Sequence, residues 1–184
     1  MPFEEANVMA QELKFFFLKN AFKVEVVGSI RRKRPIVNDL DFVVIPKISF
    51  YNSLHSLTGA NILRSGVKMT QLIYKNVQID IYYANEGNFE VLRLIRTGSA
   101  EHNKRLCTEA RNRGMILHAD GRGLYKGDKM IACTEEGILK TLLGKYIKPE
   151  EREIVKSWLK DQTIPISDKK IYETTGNKKE VKRL

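Results

Sequence analysis

Cysteine is scarce in this chain. Cys107 and Cys133 are the only two in 184 residues. That is too few for a disulfide framework, and no Cys/His spacing matches a zinc site. A reducing, intracellular setting fits such usage. Long hydrophobic runs are also missing. No stretch of about 18 apolar residues occurs, so no helix spanning a membrane is expected. The cluster Phe15-Phe16-Phe17-Leu18 is too short for that and reads as part of a core-facing helix. The start, Met-Pro-Phe-Glu-Glu, lacks the basic flank and apolar core of a secretory signal. Acidic charge is the minority, with 22 Asp and Glu against 32 Lys and Arg, a net +10. The excess favours a polyanionic partner, nucleic acid before an anionic membrane surface. A merely soluble basic protein has the same signature. Hydrophobic residues, at 42%, suffice for a real core in one large domain or two small lobes.

Pro2, Glu4 and Glu5 read as a helix start, and Ala6, Met9, Ala10, Leu13, Phe16 and Phe17 recur at helical spacing. Val24, Val26 and Val27 form a strand running into Gly28-Ser29. A second strand is expected over Leu40 to Ile45, a helix over Ser49 to Leu57, and strands over Asn61 to Arg64, Val67 to Tyr74 and Val77 to Tyr83. Ser65-Gly66 and Lys75-Asn76 are turn signals between them. The second half opens with a helix over Glu101 to Arg113, stopped by Gly114. Met115 to His118, Leu124 to Lys126 and Met130 to Ala132 read as a small antiparallel sheet. Thr134 caps a helix through Leu143, with Gly144 as its stop. Pro149 opens a last helix carrying Ile154, Val155, Trp158 and Leu159, and the Lys-rich tail beyond Pro165 lacks periodicity.

The chemistry gathers around Gly28-Ser-Ile-Arg-Arg-Lys-Arg-Pro-Ile-Val-Asn-Asp-Leu-Asp-Phe42. On a strand, residues two apart share a face, so Asp39 and Asp41 point one way and Leu40 and Phe42 the other. Two carboxylates so close repel and are costly to desolvate together. Basic side chains or a divalent metal must compensate. Asp80, between Gln78 and Tyr82, lies opposite the apolar face of Val77, Ile79 and Ile81. If its strand lies beside Leu40 to Ile45, three carboxylates meet. Oxygen donors of that kind suit Mg²⁺ together with substrate phosphate, and two such ions can clamp an in-line phosphoryl transfer. Gly28 and Ser29 offer a phosphate cradle, and Arg31 or Arg32 a guanidinium for the same anion. A lone Asp-x-Asp is more often a solvated strand face, and the run Arg31 to Arg34 a solvated charge cluster.

Gly28-Ser29-x-Arg31-Arg32, Asp39-x-Asp41, Asp80 and Thr97-Gly98-Ser99, in that order, resemble the nucleotidyltransferase palm of family X DNA polymerases, in their minimal viral type. The Thr-Gly-Ser step, with Asn103 and Lys104 on the helix after it, is the more specific part. The resemblance runs from about Pro2 to Arg152. It implies an α+β fold: a palm of mixed sheet and helices over residues 1–93, a small α/β lobe over 94–165 that binds the nascent base pair, and a basic tail over 166–184. It implies Asp39, Asp41 and Asp80 as catalytic metal ligands for two Mg²⁺ ions, with Mn²⁺ able to substitute. It implies nucleotide contacts from Gly28, Ser29, Arg32, Asn38, Thr97, Gly98, Ser99 and Asn103, and DNA contacts from Lys104, Arg105, Arg111 and Arg113.

The implied reaction is template-directed addition of deoxynucleotides to a primer 3′-hydroxyl, in short gaps during DNA repair. Primer-template or gapped DNA and nucleoside triphosphates would be the partners of a monomer, with a DNA ligase as a candidate and no membrane contact. Template-independent addition to DNA or RNA ends is the alternative. Larger relatives carry a lyase domain before the palm. This chain starts at the palm, so lyase activity is not expected. It also departs from the pattern: Ile95-Arg96 stands where an aromatic pair precedes Thr-Gly-Ser, Ala100 replaces an acid, Cys107 an arginine, Asn38 a glycine, and Phe3 a phosphate-binding arginine.

Overall fold

The computed structural model describes residues 1–153. The expected helix over Ile154 to Leu159 and the basic tail lie outside the described residues. Helix α1 (Phe3–Leu18) follows Pro2 and carries Glu4 and Glu5 in its first turn, where acids are favoured by the exposed N–H groups. Its stripe buries Ala6, Ala10, Leu13 and Phe17. Strand β1 (Ala21–Val26) and the single-turn helix α2 (Gly28–Arg31) come next, then β2 (Asp39–Pro46), α3 (Phe50–His55), β3 (Ala60–Ser65), β4 (Met69–Tyr74) and β5 (Val77–Tyr83).

The five strands form one mixed sheet in the order β1-β2-β5-β4-β3. Only β2 and β5 run parallel; the other neighbours are antiparallel. That placement requires a crossover between β2 and β5, which α3 and the β3–β4 hairpin provide. One sheet face buries Leu40, Phe42 and Val44 of β2 and Ile79 and Ile81 of β5 against α1 and α3. Phe17 of α1 meets Phe42 edge-on, with ring centroids 5.1 Å apart. Each such fully buried aromatic contributes about 1.5–3 kcal/mol of transfer free energy, enough to pin α1 to this face.

Helix α4 (Phe89–Thr97) lies where sequence reading places only a lobe boundary, near residues 90–95. It has two apolar faces. Phe89 and Leu92 pack on Val27 and Val43 at the second sheet face. Val91 and Leu94 join a separate core with Leu106, Leu117, Leu124 and Leu139. That core is built by α5 (Ala100–Asn112), α6 (Glu135–Leu143) and an antiparallel sheet of β6 (Ile116–His118), β7 (Gly123–Lys126) and β8 (Lys129–Ala132). Ser99 caps α5 by accepting from the His102 N–H at 3.3 Å. Thr134 caps α6 through the Gly137 N–H at 3.1 Å, and Gly144 ends that helix in the left-handed region. A short 3-10 turn, Pro149–Glu151, occupies the start of the expected last helix. The observed mixture of helices with a mixed sheet matches the expected α+β class.

Candidate active site

The alternation of β2 sets the site. Leu40, Phe42 and Val44 face α1, so Asp39, Asp41 and Val43 share the other face. Phe89 and Leu92 of α4 cover Val43, while Asp39 and Asp41 remain only partly buried at the strand's start. In the parallel β2–β5 ladder, Asp41 is paired with Asp80 and Asp39 with Gln78. The three acids thus occupy neighbouring positions on two adjacent strands.

Asp80 is 8% exposed. Its Oδ1 accepts from Gln71 Nε2 at 2.8 Å and Gln78 Nε2 at 3.2 Å, and its Oδ2 from the Tyr82 hydroxyl at 3.4 Å. Burial, then the charges of Asp39 and Asp80, push the Asp41 carboxyl up to about 7, and Arg32 and Arg96 only partly offset them. This excess of negative charge, borne on oxygen donors alone, fits a hard divalent cation. Asp80 is meanwhile turned onto its own neighbours, and among the described residues no three acidic, histidine or cysteine side chains already close round a single point.

Gly28 lies directly against Asp41. Its φ is +59°, and a Cβ there would come within 2.0 Å of Asp41 Oδ2. Glycine at this turn is therefore demanded by a close approach as well as by backbone conformation. The Val27 N–H donates to the Asp41 carbonyl at 2.9 Å, fixing α2 to the acid-bearing strand. Ser29 Oγ is buried without a hydrogen-bond partner. A buried hydroxyl left so can donate to a ligand atom brought against it.

The two arginines of the turn differ. Arg31 grips buried Glu135 with both terminal nitrogens, at 2.8 and 2.7 Å, and donates to Thr97 Oγ1 at 2.7 Å. Glu135 also receives Arg152 at 2.7 Å and Arg93 at 2.9 Å. Burial alone would raise the Glu135 carboxyl, but the bonds and charges of Arg31 and Arg152 outweigh it and bring it to about 2. Arg31 is thus a structural cation. Arg32 donates to the Thr97 carbonyl and pairs with Glu153.

Other expected site residues are scattered in role. Thr97 is fully buried and its hydroxyl donates to the Arg93 carbonyl at 2.6 Å. The Ser99 hydroxyl is a helix cap. Gly98, at φ +70°, has Arg32 3.2 Å from where a Cβ would stand. Asn103 donates to the Ile95 carbonyl at 2.7 Å, and its Oδ1 is buried without a partner. Asn38 is exposed beside Asp39. Among the expected DNA contacts, Arg111 is exposed, Lys104 pairs with Glu101 at 2.8 Å, and Arg105 is half-buried. Arg113 is used differently: it donates to the Thr141 and Leu142 carbonyls, closing the end of α6.

Several residues of the site escape sequence reading. Gln71 reaches Asp80 because β4 pairs it directly opposite, a register no motif encodes. Arg96 stands over the Tyr82 ring, 4.1 Å from its centroid. Its place before Thr97-Gly98 signals proximity to the site but not this stacking.

Residues 92–153 match the family model described as the DNA polymerase beta thumb. Among solved structures, the chain is similar to Leishmania infantum polymerase beta in a ternary P/T complex. The TM-score is 0.72 at 20% identity, covering 84% of this chain and 77% of that one. A ternary gap complex of the same Leishmania polymerase gives a TM-score of 0.69 at 18% identity, over 84% and 71% of the two chains. The fold is that of DNA polymerase beta. The family-model match and the fold agree over residues 92–153. The thumb match begins within α4 and runs to the last described residue. Comparison with curated protein sequences gives no match.

Proposed function

We propose that this chain is a divalent-metal-dependent, template-directed DNA polymerase that fills short gaps during DNA repair. The observation that carries the reading is the register of β2 on β5, which sets Asp41 beside Asp80 with Asp39 on the same face. Asp39, Asp41 and Asp80 would hold two Mg²⁺ ions. When bound, such ions activate the attacking hydroxyl and neutralise charge developing on the triphosphate.

The chain's own residues supply position and proton transfer. Ser29, with its unsatisfied hydroxyl, and Arg32 hold the β and γ phosphates. Gly28 keeps that cradle against Asp41. The primer O3′ attacks the α-phosphorus, the new O3′–P bond forms, and the bond to the β-phosphate oxygen breaks, releasing pyrophosphate. Asp80 accepts the hydroxyl proton, directly or through a water. Gln71, Gln78 and Tyr82 orient Asp80 for that task. Gly98 lets the nucleotide approach the backbone, and Asn103 presents its unsatisfied oxygen toward the nascent base pair.

Template dependence is supported by the short β3–β4 connection, in which the Gly66 N–H bonds the Met69 carbonyl at 2.9 Å and no long insertion intervenes. Duplex grip would come from Lys104, Arg105 and Arg111. Phosphate contacts of that kind are independent of sequence and weaken with salt. The reading is tested by primer extension with Mg²⁺ or Mn²⁺ on single-strand, open and gapped substrates. Templated addition on the gapped substrate is expected. Untemplated addition of equal efficiency would replace this reading with terminal transfer.

A further inference from the structure

The cations of the basic turn are all matched by acids from later in the chain. Arg31 meets Glu135 at 2.7 Å, Lys33 meets Glu150 at 3.5 Å, and Glu153 lies between Arg32 at 2.5 Å and Arg34 at 3.6 Å. These pairs are unequal. Lys33 and Glu150 are mostly solvated surface groups, whose attraction is weak. Arg31 and Glu135 are part of a closed buried cluster. The third pair joins a nearly buried guanidinium, 15% exposed, to an accessible carboxylate, 31% exposed.

The surroundings of Arg32 are those of an anion seat. The Thr97 carbonyl holds one terminal nitrogen, and Gly98 leaves room for the guanidinium where a Cβ would crowd it. Ser29, in the same turn, has a hydroxyl with no partner. A guanidinium accepts a carboxylate or a phosphate through the same planar donors. We propose that the Glu153 carboxylate is a built-in substitute for substrate phosphate: it occupies Arg32 until the triphosphate displaces it, and so sets nucleotide affinity. This rests on the reading of Ser29 and Arg32 as the phosphate seat. The multiply charged triphosphate outcompetes a single carboxylate, but every nucleotide bound must first release Glu153 from Arg32. Apparent affinity is reduced by the fraction of protein in which Arg32 is released.

The probe is pyrophosphate alone, titrated calorimetrically into the full chain, alongside the nucleotide KM in gap filling. Glu153→Gln is expected to tighten pyrophosphate binding roughly 3- to 30-fold and to lower the nucleotide KM with little change in kcat. The effect should vanish when Arg32→Ala is combined with it. Glu150→Gln, which removes the same charge from the neighbouring surface pair, should leave affinity within about twofold. Unchanged or weaker binding by Glu153→Gln overturns the proposal. So does an equal gain from Glu150→Gln, or a gain that persists without Arg32, since either would reflect bulk charge. If Arg32→Ala by itself binds pyrophosphate as well as the unaltered chain, the phosphate seat is elsewhere and the underlying reading fails with it. Thermal melting of Glu153→Gln within a few degrees of the unaltered chain establishes that its fold is kept.

Discussion

Asp41 and Asp80 are register partners on adjacent parallel strands, and Asp80 is fastened from three sides by Gln71, Gln78 and Tyr82. The fastening has a consequence. Gln71→Ala removes the shortest of the three bonds and frees Asp80 to turn. Turnover is expected to fall by on the order of tenfold, with primer-template affinity within about twofold. Steady-state kinetics and DNA titration together check this. Equal loss in both would mean that Gln71 supports the fold rather than the acid.

Gly28 admits no side chain. A Cβ would overlap Asp41 Oδ2, and the φ of +59° disfavours an L residue besides. Gly28→Ala is expected to cost about 1–3 kcal/mol of stability and to reduce turnover by more than the stability loss explains. Urea denaturation and single-nucleotide insertion, measured on the same preparation, separate the two effects. Turnover unaffected by the substitution would show that Asp41 moves aside without consequence.

The Glu135 cluster ties α2 to α4 and α6. Removing the acid leaves Arg31, Arg93 and Arg152 close together without their shared partner. For a buried ionic network of this kind, Glu135→Gln should cost about 3–5 kcal/mol. The linkage with pH is equally direct. The folded-state pKa of about 2 lies below the usual carboxylate value. The stabilisation is therefore present above about 4.5 and is lost as pH falls toward 2. Denaturant midpoints of the two proteins should converge over that acid range. A gap that stays constant to pH 2 would refute the assignment.

His102 adds a second pH dependence with a different window. It is 4% exposed, and burial, with the charges of Arg152 and Arg105, brings its pKa from 6.5 down to about 4. The folded protein holds it neutral, whereas the unfolded chain takes up a proton below 6.5. Stability should therefore fall as pH drops from 6.5 to 4, with a limiting slope of about 1.4 kcal/mol per pH unit. Chemical denaturation of the parent and His102→Gln across that interval checks the slope. An unchanged slope in the variant would place the titrating group elsewhere.

The five-stranded sheet was largely legible because its signals are local. Period-two alternation along Leu40 to Ile45 and Val77 to Ile81 gives the strands, their buried faces and the direction of each aspartate. The helix stripe from Ala6 to Phe17 is equally plain. Helix α4 was not legible. Its pattern is helical, with Glu90, Arg93 and Arg96 recurring every three residues and Phe89, Val91, Leu92, Leu94 and Ile95 left for the two cores it packs on, but the run is only nine residues long and coincides with the expected lobe boundary. Motif singles out Ser29 and Arg32 but not their environments. The fate of Arg31 through Arg34 depends on Glu135, Glu150 and Glu153, more than a hundred residues away, and only tertiary structure brings those acids back. For the same reason, the capping role of Arg113 at the end of α6 is invisible in a chain where arginine ordinarily suggests DNA.

The most direct measurement is single-turnover insertion of one templated deoxynucleotide into gapped DNA by the unaltered chain and by Asp80→Asn, in Mg²⁺, with DNA affinity measured in parallel. Insertion by the unaltered chain, together with a loss of about 10²–10⁴ in the variant's rate at nearly unchanged DNA affinity, is the expected result. A variant that inserts at the parental rate would remove Asp80 from the chemistry and contradict the three-carboxylate centre.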